Sequence, residues 1–290
     1  MSNNFARSRK YPSVSWIKLS VVFGICFLLA FSFAQSKSLD PRDAQRLLPL
    51  LRKKMEKQKT LKGHLDLVSQ FSEDQQKSEL LKGHGELYVA APRRFRMDMV
   101  ADLQGTPEHK ATRVKSQIIL DGKNLWFKVD NSEPGSSFLG HVDFRELVRK
   151  FPKVFSTGDG YYDPADELSE LDWKSLKLLG KDSYEGKKRY ILEGKLKSPI
   201  ASLFPFGSKE KRESLKVKVW VGVEDGITYQ SSMLDSNGKE LGRMTLSKVL
   251  KNPTFNPNVF HFSPPKGVTP IDMTPMMEDE LQSKNSVITP

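Results

Sequence analysis

The feature that most constrains this chain is a two-residue hydrophobic period that recurs from Leu61 onwards and is broken by turn-forming dipeptides. Leu61, Gly63, Leu65, Leu67 and Phe71 alternate with Lys62, His64, Asp66 and Gln70. Gly83, Gly85, Leu87 and Val89 repeat the pattern, and Phe95, Met97, Met99 and Leu103 stand opposite Arg94, Arg96, Asp98 and Asp102. Successive strand residues point to opposite faces, so this alternation means one face buried and one face wet, as in an antiparallel sheet. The connections carry hairpin chemistry. Asp121-Gly122-Lys123 separates Ser116–Leu120 from Leu125–Val129, and Glu185-Gly186 separates Leu176–Leu179 from Arg189–Leu192. Asp225-Gly226 separates Leu215–Val221 from Ile227–Met233, and Asn237-Gly238 leads into Leu241–Leu250. Asp-Gly and Asn-Gly supply the positive φ that tight hairpins need. Linked in order, these hairpins form a meander, and the expected class is mainly β (α+β), one large curved antiparallel sheet with a few helices.

Two segments change period. Asp40-Pro41 has the form of a helix start, a capping carboxylate followed by proline at the first helical position. Ala44, Leu47, Leu48, Leu51 and Met55 follow at helical spacing, with Pro49 expected to kink or divide the helix. Phe144, Leu147, Val148 and Phe151 follow an i, i+3, i+4, i+7 pattern with charged residues between them, and Pro152 limits that helix. Gly158–Asp166 reads as a loop. Residues 273–290 contain prolines and little apolar content, so they are expected to form a flexible C-terminal tail.

The N-terminus bears on location. Arg7, Arg9, Lys10 and Lys18 precede an apolar run from Leu19 to Phe33, which closes with Ser32-Phe33-Ala34 before Gln35-Ser36-Lys37. A positive flank, a short apolar core and small residues at its exit describe a secretory signal peptide, here residues 1–34 with cleavage near Ala34. The run is shorter than the ~20 residues that span a bilayer comfortably, although an uncleaved anchor is the alternative. Either way the domain is exported, and the periplasm is the expected compartment. Cys26, the only cysteine, sits inside the apolar run rather than at its end, so it reads as filler. The exported chain then has no disulfide to draw on, and its stability must come from a packed core. The formal charge of +11 favours anionic partners such as phospholipid headgroups or nucleic acid, or simply marks a basic surface.

Motifs for chemistry are sparse. His64, His84, His109, His141 and His261 are widely spaced and form no HxH or HxxH pair, so no metal site and no cofactor is expected. No phosphate-binding glycine loop and no GxSxG elbow occurs. Asp163, Asp166, Glu167, Glu170 and Asp172 cluster, and a calcium site, an acid/base pair or a solvated loop would each account for them. Phe95 lies between Arg94 and Arg96, and Trp220 follows Lys216 and Lys218; aromatic and basic residues can serve nucleic acid when interleaved on an exposed strand. In the first strand, however, the aromatic lies on the opposite face from the basic residues. No enzymatic activity and no nucleic-acid partner is expected.

Two stretches carry a family pattern. The first is Gly83-His84-Gly85-Glu86-Leu87-Tyr88-Val89-Ala90-Ala91-Pro92, followed by Phe95 and by Ile119-Leu120-Asp121-Gly122-Lys123-Asn124-Leu125-Trp126-Phe127. The second is Val259-Phe260-His261-Phe262-Ser263-Pro264-Pro265-Lys266-Gly267-Val268. In order and approximate spacing, over Leu61 to Asp272, these resemble the LolA-like outer-membrane lipoprotein carriers and lipoprotein-sorting proteins. The resemblance implies one lipid-binding domain over 35–272, an incomplete β-barrel whose apolar face is covered by helices. It also implies a carrier that takes acylated lipoproteins or lipids towards the outer membrane, a monomer meeting membrane-associated donor and acceptor proteins. The alternative is a non-transport envelope module of the same fold that senses or binds a protein partner. A hydrolase using the acidic loop is a third reading.

Candidate cavity-lining residues are the apolar members of the alternations: Leu65, Leu67, Leu87, Val89, Phe95, Met97, Met99, Leu120, Phe127, Val217, Val219 and Met233, joined by Leu147 and Phe151 from the helix. Each also fits an ordinary packed core. Burial of acyl chains in such a cavity is favourable by ~0.8 kcal/mol per CH₂. The carriers have an arginine before the motif proline that helps latch the lid; this chain has Ala91 there, which leaves Arg93 and Arg94 as stand-in candidates. The apolar loop Pro199–Gly207 reads as a membrane contact, a gate or a satellite core cluster.

Overall fold

The computed structural model describes residues 41–55, 57–74, 77–90, 94–104, 111–131, 137–152, 175–195 and 215–285. The signal segment, Cys26, Arg93, the acidic cluster at 163–172 and the Pro199–Gly207 loop lie outside them. The twelve strands are β1 (Thr60–Asp74), β2 (Lys77–Ala90), β3 (Arg94–Leu103), β4 (Thr112–Leu120), β5 (Asn124–Asn131), β6 (Phe138–Asp143), β7 (Lys177–Tyr184), β8 (Lys187–Lys195), β9 (Lys216–Gly222), β10 (Thr228–Leu234), β11 (Glu240–Lys251) and β12 (Ile271–Asp272). Among the described residues the α-helices are α1 (Pro41–Met55), α2 (Phe144–Lys150) and α3 (Thr274–Asn285), with a 3₁₀ turn at Pro257–Phe260.

All strands join one sheet in the order β12-β6-β5-β4-β3-β2-β1-β11-β10-β9-β8-β7. Every pairing is antiparallel except that of β12 with β6. The two hairpin runs are fused where β1 pairs with β11, Leu65 opposite Leu246 and Leu67 opposite Met244. Among the described residues no ladder joins the two outer edges, so the sheet is open and the expected mainly β architecture holds.

The signature glycines lie near the middle of the sheet. A Cβ on Gly85 would overlap the Asp98 carbonyl oxygen of β3 and stand 2.5 Å from Met99 Sδ. Only a residue without a side chain lets β2 and β3 approach so closely there.

Helices cover one face in two groups. α1 presents Ala44, Leu47 and Leu51 to the core, at the spacing its sequence carries. It remains one helix across Pro49, which is exposed, so the carbonyl left without an N–H partner one turn earlier is on the solvent side. Its last turn docks on the β9–β10 turn, with Lys54 Nζ donating to Val223 O at 2.5 Å. Gly226, at φ +73, lies so close that a Cβ would overlap Leu51 O. α2 and α3 form the second group. Asp143 Oδ1 caps α2 by accepting from Glu146 N at 2.9 Å, and Asp143 N donates to Thr274 Oγ1 at 2.9 Å. The C-terminal segment read as a mobile tail is therefore helical over Thr274–Asn285, with Leu281 buried in the core and Lys150 paired with Glu278 at 2.7 Å.

Candidate lipid-binding face

The strand register shows how the candidate residues come together. Across β1, β2, β3, β4 and β5 the pairs Leu61↔Val89, Val89↔Phe95, Phe95↔Leu120 and Leu120↔Leu125 form one row of side chains on one face. Gly63↔Leu87, Leu87↔Met97, Met97↔Ile118 and Ile118↔Phe127 form the next. A third row runs the other way, from Leu67 through Met244, Ser231 and Val219 to Leu192 and Leu178. Register partners share a face, so one largely apolar surface extends from β5 to β7, with the buried hydroxyls of Ser116 and Ser231 set into it. Leu65, Leu67, Leu87, Met97, Met99, Leu120, Phe127, Val217, Val219 and Met233 are buried in a single contiguous cluster, with Val89 and Phe95 half-buried against it. Leu147 and Phe151 of α2 belong to the same cluster, Leu147 with 1% of its surface exposed.

The structure adds residues that the sequence reading did not name. Met244 and Leu246 of β11 continue the surface through the middle of the sheet. Their alternation was visible within Leu241–Leu250, but only the β1–β11 pairing makes them central. Met273, Met277 and Leu281 reach the same cluster from the C-terminal side. The i, i+4 spacing of Met277 and Leu281, with Asp272 Oδ1 accepting from Thr274 N at 3.0 Å just before them, is the signal that locates α3.

Arg94 is exposed and lies on the face of Arg96, opposite Phe95. The covers rest on the other side of the sheet. The face that Arg94 and Arg96 share carries a polar ladder: Lys62 Nζ–Glu86 Oε2 at 3.1 Å, a His64 Nδ1–Glu86 Oε1 hydrogen bond at 3.2 Å, and Arg96 Nε–Asp98 Oδ2 at 2.7 Å. Partial burial pushes the Glu86 carboxyl up, but the hydrogen bonds from His64 and Lys62 outweigh it and hold the carboxyl below its ordinary value. Among the described residues no cluster of His, Cys, Asp and Glu is arranged to hold a metal.

The closing signature packs on this polar face. After β11 the chain crosses the sheet as a strap. Thr60 Oγ1 donates to Pro253 O at 2.7 Å, Tyr88 meets Phe255 edge-on at 5.7 Å, and Arg96 Nη1 donates to Val259 O at 3.2 Å. Trp126 lies 5.1 Å from Phe262, and β12 then pairs alongside β6. Ile119, 1% exposed on the outer side of β4, sits in register between Arg96 and Trp126, both of which touch the strap. The aromatic residues of the second motif thus fasten the C-terminal segment across the back of the sheet, and α3 returns to the covered side.

Among the described residues the covered face is a broad apolar surface of a kind that can bury hydrocarbon, with the Lys62, His64, Glu86, Arg96 and Asp98 side chains on the reverse. No family model matches the chain. It is 25% identical over 203 residues, 67% of its length and 74% of the relative's, to a protein of Histophilus somni strain 129Pt named outer-membrane lipoprotein carrier protein. The same identity and coverage hold for the protein of that name from strain 2336. Among solved structures, the Mycobacterium tuberculosis lipoprotein LppX is 14% identical with a TM-score of 0.41, covering 75% of this chain and 99% of that one. A Vibrio parahaemolyticus putative outer membrane lipoprotein-sorting protein domain is 9% identical with a TM-score of 0.34, covering 76% and 97%.

Proposed function

We propose that this chain binds the acyl chains of lipoproteins or lipids against its covered face, in the periplasm, and moves them towards the outer membrane. The observation that carries the reading is the largely apolar surface from β5 to β7, closed by two separate helical groups rather than by a second sheet. An open sheet with removable covers can exchange its own apolar contacts for those of a hydrocarbon chain, each buried CH₂ contributing ~0.8 kcal/mol. Methionines at Met97, Met99, Met233 and Met244 suit that exchange, because a flexible thioether repacks around varied shapes. The named relatives, which are lipoprotein carriers, support the same reading. Arg93 remains the proposed latch residue, since Arg94 stands on the face away from the covers, in a protein acting as a monomer with donor and acceptor proteins on the two membranes.

The test is uptake of a fluorescent acyl probe by delipidated protein, with mass spectrometry of lipid carried through native purification. Saturable uptake that is lost in Phe127→Asp, with far-UV and near-UV circular dichroism unchanged, is expected. Met99→Gln is the companion variant should Phe127→Asp fail to fold. Folded wild-type protein that takes up no acyl ligand would overturn the proposal and leave the protein-binding alternative standing.

A further inference from the structure

One end of the sheet gathers lysines around exposed apolar side chains. The β9–β10 turn is its centre. Lys54 bonds Val223 O from α1, Lys188 O accepts from Val223 N at 2.9 Å, and Lys251 pairs with Asp225. Lys187 Nζ lies 4.5 Å over the Tyr229 ring, while Lys59 N donates at 2.8 Å to Asn252 Oδ1, one residue beyond Lys251. Lys53 and Lys57 flank the same stretch of chain and are exposed. Around this turn the described acids are Asp182, Glu185, Glu224 and the buried Asp225; Asp182 is paired with Arg189, and Asp225 already has Tyr229 and Lys251 as partners. Among the described residues Lys53, Lys57, Lys59 and Lys188 have no carboxylate partner.

The apolar component is in the same place. Leu50 is 57% exposed one turn before Lys53 and Lys54, Tyr184 is 44% exposed opposite Lys187 in the β7–β8 hairpin, and Leu250 is 56% exposed beside Lys251. The far end of the sheet carries three paired cations, in Arg113–Asp102, Lys128–Asp130 and Arg243–Glu240, beside the lysines Lys177, Lys195, Lys216 and Lys239. Unmatched lysines interleaved with isolated exposed leucine and tyrosine are what an interfacial surface needs. The ammonium groups meet lipid phosphates, and the apolar side chains enter the boundary between headgroups and acyl chains.

We propose that this end of the sheet docks on the anionic headgroup surface of a phospholipid bilayer. Docking in this way is reversible, weakened by salt, and independent of whether the covered face holds an acyl chain. If it does, docking brings the C-terminal turn of α1, one of the two covers, to the headgroups.

The chain from residue 35 onwards carries every described element and is the form to test. It is sedimented with vesicles of phosphatidylethanolamine doped with phosphatidylglycerol, and with phosphatidylcholine vesicles. Binding to the first that fades as salt is raised, with little binding to the second, is expected. The combined variant Lys53→Gln, Lys57→Gln, Lys59→Gln and Lys188→Gln is expected to lose on the order of a thousandfold in affinity, given the strength of single lysines near anionic membranes. Lys177→Gln, Lys195→Gln, Lys216→Gln and Lys239→Gln together remove the same charge from the far end and should leave binding nearly intact. Equal losses in the two variants would show attraction by net charge alone and overturn the proposal. Absence of vesicle binding by folded wild-type protein would overturn it too, even if an acidic polypeptide captured the same lysines. Neither result bears on acyl uptake, which the probe experiment reads separately.

Discussion

Replacement of Gly85 by alanine probes the close approach of β2 and β3 within the covered face. A Cβ is fixed by the backbone and cannot rotate away from an obstacle. At Gly85 the obstacle is the Asp98 carbonyl oxygen, with the Asp98 carbonyl carbon 3.0 Å off, so relief requires β2 and β3 to separate. Overpacking against such a neighbour costs about 3 kcal/mol, the upper part of the usual range. Gly85 does not have positive φ, so alanine also gains roughly 0.4–1 kcal/mol by restricting the unfolded chain, leaving a net loss near 2 kcal/mol. Gly83, two residues earlier on the same face, supplies the control. A Cβ there meets the Ala101 Cβ at 3.0 Å and Val100 O at 3.1 Å, contacts that yield to shifts of a few tenths of an ångström. Gly83→Ala is therefore expected within about 1 kcal/mol of wild type. Urea titration followed by near-UV circular dichroism compares the two midpoints. Equal stability in Gly83→Ala and Gly85→Ala would refute the idea that close approach of β2 and β3 is what the second glycine serves.

Other expectations follow from charged groups. Arg189 is buried, donates to Asp182 through Nε at 2.9 Å and Nη2 at 2.5 Å, and lies 4.8 Å over the Tyr184 ring. Asp182→Ala strands that guanidinium, and a loss of about 3 kcal/mol in urea-determined stability is expected, whereas Arg189→Leu with Asp182→Ala should recover part of it. Asp272 is pushed up by burial, but the Thr274 hydroxyl and backbone N–H outweigh this and hold it below its ordinary value. A carboxyl depressed in the folded state contributes stability that is complete above its unfolded pKa, about 4, and lost as pH falls through the folded one. Acid titration of tertiary circular dichroism should therefore be shallower in Asp272→Asn, which keeps the cap without the titration; an unchanged slope would exclude Asp272 as a source of acid sensitivity.

The alternation from Leu61 to Leu103 and the Asp-Gly and Asn-Gly turns placed most strands, because strand periodicity and hairpin chemistry are local signals. The helix pattern at Phe144–Phe151 was legible for the same reason. The outward orientation of Arg94 was written in its alternation with Phe95. What escaped was long-range. Nothing near Leu246 announces that it pairs with Leu65, a contact between strands remote in sequence. The strap was hidden differently: Phe255, Phe260 and Phe262 follow no strand or helix period, because each answers to a particular ring or gap on the back of the sheet. In α3, Pro275 and a charged middle masked a short apolar stripe. A proline early in a helix is compatible with it, and the Asp272 side chain accepting from Thr274 N just ahead of it is a signal that the flexible-tail expectation did not weigh.

The two covers are attached in unequal ways, and the inequality follows from where the second motif packs. Moving α3 away from the sheet breaks the Thr274–Asp143 bond, the Met273 N to His141 O bond at 2.9 Å, the β12–β6 pairing and the Lys150–Glu278 pair. Beyond β12 the chain is held by the aromatic contacts and the Arg96 bond of the strap, so α3 is continuous with a segment fixed on the opposite face. Among the described residues the polar tie of α1 is the Lys54–Val223 bond at its C-terminal end, with apolar contacts through Ala44, Leu47 and Leu51. Apolar contacts are the kind a hydrocarbon chain can replace without leaving a donor or acceptor unsatisfied, whereas directional bonds are not. An acyl chain entering beneath α1 substitutes like for like, and one entering beneath α3 must strand polar groups. On the described contacts, acyl entry beneath α1 is expected to strand fewer polar groups than entry beneath α3, on the side of β7 to β10 next to the lysine-rich end of the sheet.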